Sequence, residues 1–169
     1  MTARKMLVVH LLATNVVLGV ATRKTPGAPP VGDLVGDAFV ARSPQDVGIA
    51  VPAALLGVKE VDYSDEVVVQ PTAHGLDATG AVAALAAKVS AVAADGVQVK
   101  LTLSPAPPVD KAAQVLIDGG AGQAALLFNA KTQASTSLDV PVSGVSPGSH
   151  VVLASVDGFA PCLATVTFT

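Results

Sequence analysis

GVQVKLTLS, residues 96–104, alternates the apolar Val97, Val99, Leu101 and Leu103 with Gln98, Lys100 and Thr102. A period of two marks a strand with one buried face, and Ser104-Pro105-Ala106-Pro107-Pro108 ends it because proline cannot donate to a ladder. Downstream, Ala113–Asp118, Ala124–Ala130, Ser137–Val142, His150–Val156 and Ala164–Thr169 read as further strands. Gly119-Gly120, Ser146-Pro147-Gly148 and Asp157-Gly158 lie between them as turns. Short strands with turn signals at this spacing predict a β-sandwich over residues 96–169.

Working back from residue 96, the segment DATGAVAALAAKVSAVAAD, residues 77–95, breaks the β habit. Alanine has the highest helix propensity, Asp77 is a suitable N-cap, and Asp95-Gly96 is a common helix stop. Val82, Leu85, Val89 and Val92 follow a 3-4-3 spacing, the seam of an amphipathic helix. The spacing therefore predicts a helix over 77–95. Either it packs between a sheet and another element of the chain, or its alanine face meets a neighbouring subunit.

The amino-terminal part, residues 1–76, reads as a second β-rich region. Ala38–Ala41 and Val47–Val51 flank the turn residues Arg42-Ser43-Pro44-Gln45-Asp46, a hairpin pattern, and Leu55–Tyr63 and Glu66–Gln70 repeat it around Ser64-Asp65. Thr22–Asp33, with Pro26, Pro29 and Pro30, reads as an extended arm. Before it lies Met6–Ala21, MLVVHLLATNVVLGVA, behind Arg4 and Lys5. Basic residues before an apolar run, with Gly19 and Ala21 at its end, fit a cleaved leader. The run is shorter than the ~20 residues that span a bilayer. His10, Thr14 and Asn15 interrupt it, and its valines favour strand. A retained β-segment, a leader and a membrane anchor all stay open here; a membrane role is the least supported.

Composition narrows the functional classes. The chain of 169 residues is 51% hydrophobic and 14% charged, against about 25% charged in ordinary soluble domains. Aromatics make up 3%, Trp is absent and the net charge is −3. There is neither a base-stacking set nor a basic field for nucleic acid. A single cysteine, Cys162, excludes an intrachain disulfide and a thiolate-rich metal site; it reads as a small buried hydrophobe.

The candidates for chemistry are few. Asp62, Ser64 and Glu66 alternate as calcium ligands do, but the glycine and distal glutamate of a calcium loop are missing, so Glu60, Asp62, Asp65 and Glu66 read as a solvated turn. Gly119-Gly120-Ala121-Gly122 lacks the Lys-Ser/Thr ending of a phosphate loop. His10, His74 and His150 have no local pairing at ligand spacing, and no Gly-x-Ser-x-Gly elbow occurs. No catalytic residue, cofactor or metal is expected.

The series LTLSPAPPV, AQVLIDG, SLDVPVSGVSPGSHVVLASVDG and ATVTFT resembles the immunoglobulin-like modules of bacterial surface proteins and of phage tails and phage-derived injection apparatus. The resemblance covers residues 96–169 and implies a sandwich with no catalytic residue. The paired cysteines and core tryptophan of antibody-type domains are absent.

These readings lead to a mostly β, non-enzymatic structural subunit of a virion, phage tail or injection apparatus. Its partners are copies of itself or other subunits, with no nucleic acid. The expected interface is the apolar start, through Leu7, Val9, Leu11, Val16 and Leu18, and the helix seam, through Val82, Leu85, Val89 and Val92. Burying them between subunits would contribute at ~25 cal/mol per Å². The alternative is an exported surface-binding module using the loops Gly119–Gln123 and Ser146–Ser149.

Overall fold

The computed structural model describes residues 4–22, 26–43, 45–120 and 123–169. Met6–Ala21 forms a hairpin: β1 (Lys5–Leu11) and β2 (Val17–Ala21) pair antiparallel. Asn15 sits at φ 57 in the turn, a left-handed conformation that asparagine tolerates better than most residues. A short helix α1 (Val31–Val35) follows, then the hairpin β3 (Ala38–Arg42) and β4 (Gly48–Pro52), then β5 (Leu56–Asp62), which pairs with the other side of β1. The three-stranded sheet thus has the order β2-β1-β5.

β1 is central, and both of its faces are covered. Val9 and Leu11 enter one core with Val16, Leu18, Ile49 and Val51, while Met6 and Val8 enter another with Val17 and Val67. A strand buried on both sides needs apolar residues at consecutive positions rather than alternate ones. That requirement accounts for the unbroken apolar run Met6–Val9 in β1. Among the described residues, no helix is long and apolar enough to cross a membrane.

Beyond β5 come α2 (Asp65–Val69), a single 3₁₀ turn (Pro71–Ala73), and a small hairpin of β6 (His74–Leu76) with β7 (Val82–Ala84). Of residues 66–70, expected as strand, 66–69 are therefore helical and Gln70 follows the helix: Val67 packs into the core beneath and Val69 stays exposed. One buried valine per turn satisfies a helix laid on a sheet, which overrides the β preference of the valine run.

The remaining strands are β8 (Ala87–Ala94), β9 (Gln98–Ser104), β10 (Ala112–Ile117), β11 (Leu126–Lys131), β12 (Ser137–Pro141), β13 (Gly148–Val156) and β14 (Phe159–Phe168). They form one nearly closed seven-stranded sheet in the order β11-β10-β13-β14-β8-β9-β12. All its pairings are antiparallel except β14 with β8, which run parallel through Phe159–Ala87 and Ala160–Lys88. Val99, Leu101 and Leu103 of β9 face Val115, Ile117, Val152, Ala154 and Val156 across a single core. Val97 is 70% exposed because it belongs to the turn before β9.

The helix expected over 77–95 does not form; β7 and β8 occupy its place. The 3-residue step from Val89 to Val92 comes from a break in the β8–β9 register between Val89 and Ala91. The extra residue reverses the alternation, so both valines reach the same core. Ser90, inside the break, donates its hydroxyl to the Thr102 carbonyl at 3.1 Å. The cap signals have other uses. The Asp77 carboxylate accepts the Thr79 and Ala81 amides of a tight turn at 2.8 and 2.9 Å. Asp95-Gly96, with Gly96 at φ +91, turns the chain from β8 into β9. Aspartate and glycine serve hairpin turns as readily as helix ends.

The two units share a core. On the outer face of the seven-stranded sheet the ladders align Leu127, Leu116, Leu153 and Leu163 in one cross-strand row. Leu116 and Leu153 are buried in the same cluster as Val9, Leu11, Ile49 and Val51. β10 and β13 are therefore covered on both faces, by their own sheet's core inside and by the amino-terminal layer outside. A polar seam runs beside the leucines. The Thr14 and Ser155 hydroxyls lie 2.5 Å apart, and Gln114 Nε2 donates to Asn129 Oδ1 at 3.0 Å.

Candidate functional site

The residues expected at an interface lie in or against the chain's own cores. Leu7, Val9, Leu11, Val16 and Leu18 are all buried within the chain. Val89 is buried in the sheet core and Val92 packs against it, while Leu85 and Val82 pack against the two amino-terminal cores. The apolar segments that looked available for a neighbouring subunit are filled by this chain's own side chains.

The acidic cluster does not converge. Asp62 pairs with Lys5 at 2.6 Å, Glu60 Oε2 accepts the Gly27 amide at 2.6 Å, and Asp65 accepts the Tyr63 hydroxyl at 2.8 Å. The Arg4 guanidinium covers the Tyr63 ring at 4.0 Å. Among the described residues, no group of three or more His, Cys, Asp or Glu side chains is placed to hold a metal ion.

The histidines are engaged separately. His10 lies beside Gly57 with Nδ1 at 3.3 Å from the Leu11 carbonyl, and burial pushes its pKa down. His74 Nδ1 is 2.9 Å from the Gln70 carbonyl. Cys162 lies inside β14 rather than ahead of it, and burial pushes its half-buried thiol up, away from the reactive thiolate.

His150 is different, because it joins two of the loops singled out in the sequence. The loop after β10 and the Ser146-Pro147 turn before β13 meet at one end of the seven-stranded sheet. His150 Nδ1 lies 3.0 Å from the Asp118 carbonyl and 3.3 Å from its Oδ1, and Nε2 lies 2.9 Å from the Ser146 carbonyl. Asp118 Oδ2 accepts the Val151 amide at 2.8 Å, and Oδ1 accepts the Gly120 amide at 3.2 Å. The ring is 6% exposed and stands edge-on to Phe168, with centroids 5.6 Å apart. Burial works against its charge, but the two carbonyls and the Asp118 carboxylate outweigh that, and the pKa is raised.

Beside this cluster lies a cleft of about 480 Å³ between Gly48–Ala50 of β4, Asp118–Gly120, and Gln123 with Ser149. It offers a carboxylate, an amide and a hydroxyl, a set that can hydrogen-bond a polar ligand. Ala121 and Gly122 of the expected glycine loop lie outside the described residues. Compared with protein-family models, curated proteins and solved structures, the chain has no match in any of the three. Sequence reading named both loops but missed Asp118 as the group that ties them. Asp118 and His150 lie 32 positions apart, and no local spacing links them.

Proposed function

We propose that the chain is a non-enzymatic structural subunit of a larger protein assembly, of the kind that builds virions, phage tails and injection apparatus, and that its carboxy-terminal strands are an immunoglobulin-like sandwich. The observation that carries this reading is the division of strands. Taken in chain order, the first, second and fifth, β8, β9 and β12, lie side by side; the third, sixth and seventh, β10, β13 and β14, lie side by side with β11 beyond them. Immunoglobulin-like sandwiches likewise keep their first, second and fifth strands in one sheet and their third, sixth and seventh in the other, around one core; β11, the fourth, joins the second group here. An amino-terminal layer fused to the outer face of one sheet makes the module rigid, which suits a building block more than a mobile enzyme.

With the apolar segments used internally, contact with other subunits falls to the sheet margins. β11 and β12 each have a ladder on one side only, and an open strand edge is a template for another chain. Leu127 on β11 ends the leucine row at 37% exposure. Native mass spectrometry of the purified chain tests the proposal: a defined oligomer supports it. A strict monomer at the highest soluble concentration overturns self-assembly.

The second reading, an exported surface-binding module, is favoured by one observation: Asp118–Gly120 and the Ser146–Ser149 turn come together beside a cleft that Gln123 also lines. A monomer that retains a polar ligand there, and loses it on substitution of Gln123, would favour that reading.

A further inference from the structure

We propose that His150 is a pH-sensitive latch that fastens the Ser146 turn to the Asp118–Gly120 loop when its imidazole is protonated and loosens both loops when it is neutral. The inference rests on what each ring nitrogen faces. Nδ1 meets the Asp118 carbonyl at 3.0 Å and Nε2 meets the Ser146 carbonyl at 2.9 Å. A carbonyl oxygen only accepts, so both contacts are hydrogen bonds only when both nitrogens carry protons. A neutral ring has one proton and leaves one of these carbonyls facing a lone pair. Its alternative is the Ser146 hydroxyl, 3.4 Å from Nε2, which can donate where the carbonyl cannot. Protonation therefore moves the Nε2 partner from the hydroxyl to the carbonyl of one residue.

The surroundings single out one counter-charge. From β10 and its following loop comes Asp118, 3.3 Å from Nδ1; from β14 come the Phe168 ring and Thr167, the latter reaching Ser149 rather than the imidazole; from the turn comes Ser146. Among the described residues no lysine or arginine faces the ring, and Ala121 and Gly122 cannot titrate. Asp118 is shared: its two oxygens also hold the Gly120 and Val151 amides. What happens at the imidazole therefore reaches both loops and, through Asp118, the cleft beside them.

The sign follows from linkage. An imidazolium favoured by the closed arrangement strengthens closure fully below its open-state pKa of about 6.5, and the gain disappears as pH rises through the closed-state value. The loops are fastened in mildly acidic solution and loosened towards alkaline pH. Unlike an apolar or fully satisfied neutral histidine, this one has a conformational role only in the range where imidazoles titrate.

The test is NMR of the full-length chain with labelled histidine, following the His150 ring from pH about 5 to about 9 alongside amide exchange at Asp118, Gly120 and Val151. The expected result is a His150 pKa above 6.5, with protection of those amides falling through the same titration by up to about tenfold per unit of elevation. Ser146→Ala keeps the backbone carbonyl and removes only the donor available to the neutral ring, so it should move the pKa further up; a serine that merely fills space would leave it unchanged. Asp118→Asn should move it down. A His150 that titrates at or below 6.5, or loop amides whose protection ignores the titration, would overturn the proposal.

Discussion

Leu116 of β10 lies directly opposite Leu153 of β13, and both point away from the inner core of the seven-stranded sheet into the core shared with the amino-terminal hairpin. Their neighbours Val115 and Val152 point the other way and are just as buried. Two adjacent strands with both faces covered tie the seven-stranded sheet and the amino-terminal layer into one body. Leu116→Ala and Leu153→Ala should each cost about 2–5 kcal/mol, as deletions in closed cores do, and the double variant should depart from additivity because the side chains touch one environment. Urea unfolding of the variants measures both. Losses under about 1 kcal/mol, below that range, would show that the amino-terminal layer only rests on the sheet.

Ala93 distinguishes the observed strand from the expected helix. It is exposed on β8, opposite Lys100. On a strand surface, threonine is at least as favourable as alanine, so Ala93→Thr should leave stability unchanged or raise it by a few tenths of a kcal/mol. In a helix the same change would cost roughly half a kcal/mol. Thermal unfolding of the variant reads the difference.

Gly57 is required by its neighbour rather than by its backbone. A Cβ there would lie 2.6 Å from His10 Nε2 and 2.8 Å from Cε1. The ring is buried, so close packing leaves it little room to swing aside. Gly57→Ala should therefore cost about 1–3 kcal/mol, the usual range for overpacking. Pairing it with His10→Ala should recover part of that loss; no recovery would place the strain elsewhere.

His10 makes the fold sensitive to acid. Burial depresses its pKa, so well above its unfolded value of about 6.5 it is neutral in both folded and unfolded chains and contributes no slope. Below that, the unfolded chain binds a proton that the folded chain resists, and stability falls until the folded pKa is passed. His10→Leu should flatten this part of the melting-temperature profile between about pH 7 and 5. An identical slope in the variant would assign the acid sensitivity to other groups.

The legible parts of the sequence were those where one face of one element decides the pattern. Val99, Leu101 and Leu103 alternate because β9 has a single buried face, and the β3–β4 hairpin announces itself by its turn residues. Residues 82–94 misled because a register break gives Val89 and Val92 a helical spacing, and because alanine's propensity is weaker than the packing of a whole sheet. Met6–Ala21 was ambiguous for another reason: a strand buried on both faces has no period. Its polar residues carried the answer, with Asn15 in the turn, Thr14 bonded to Ser155 and His10 against Gly57. The His150–Asp118 pairing was beyond reach, because it depends on which loops share an end of the sheet.

The most direct test of the account is amide hydrogen exchange along the intact chain. If residues 6–21 are the doubly covered centre of one cooperative body, the amides of Val8 and Val9 should exchange as slowly as those of Val115 and Leu116, all through global unfolding. Rapid exchange across β1 with slow exchange across β10 would contradict it, and would return the amino-terminal segment to the surface.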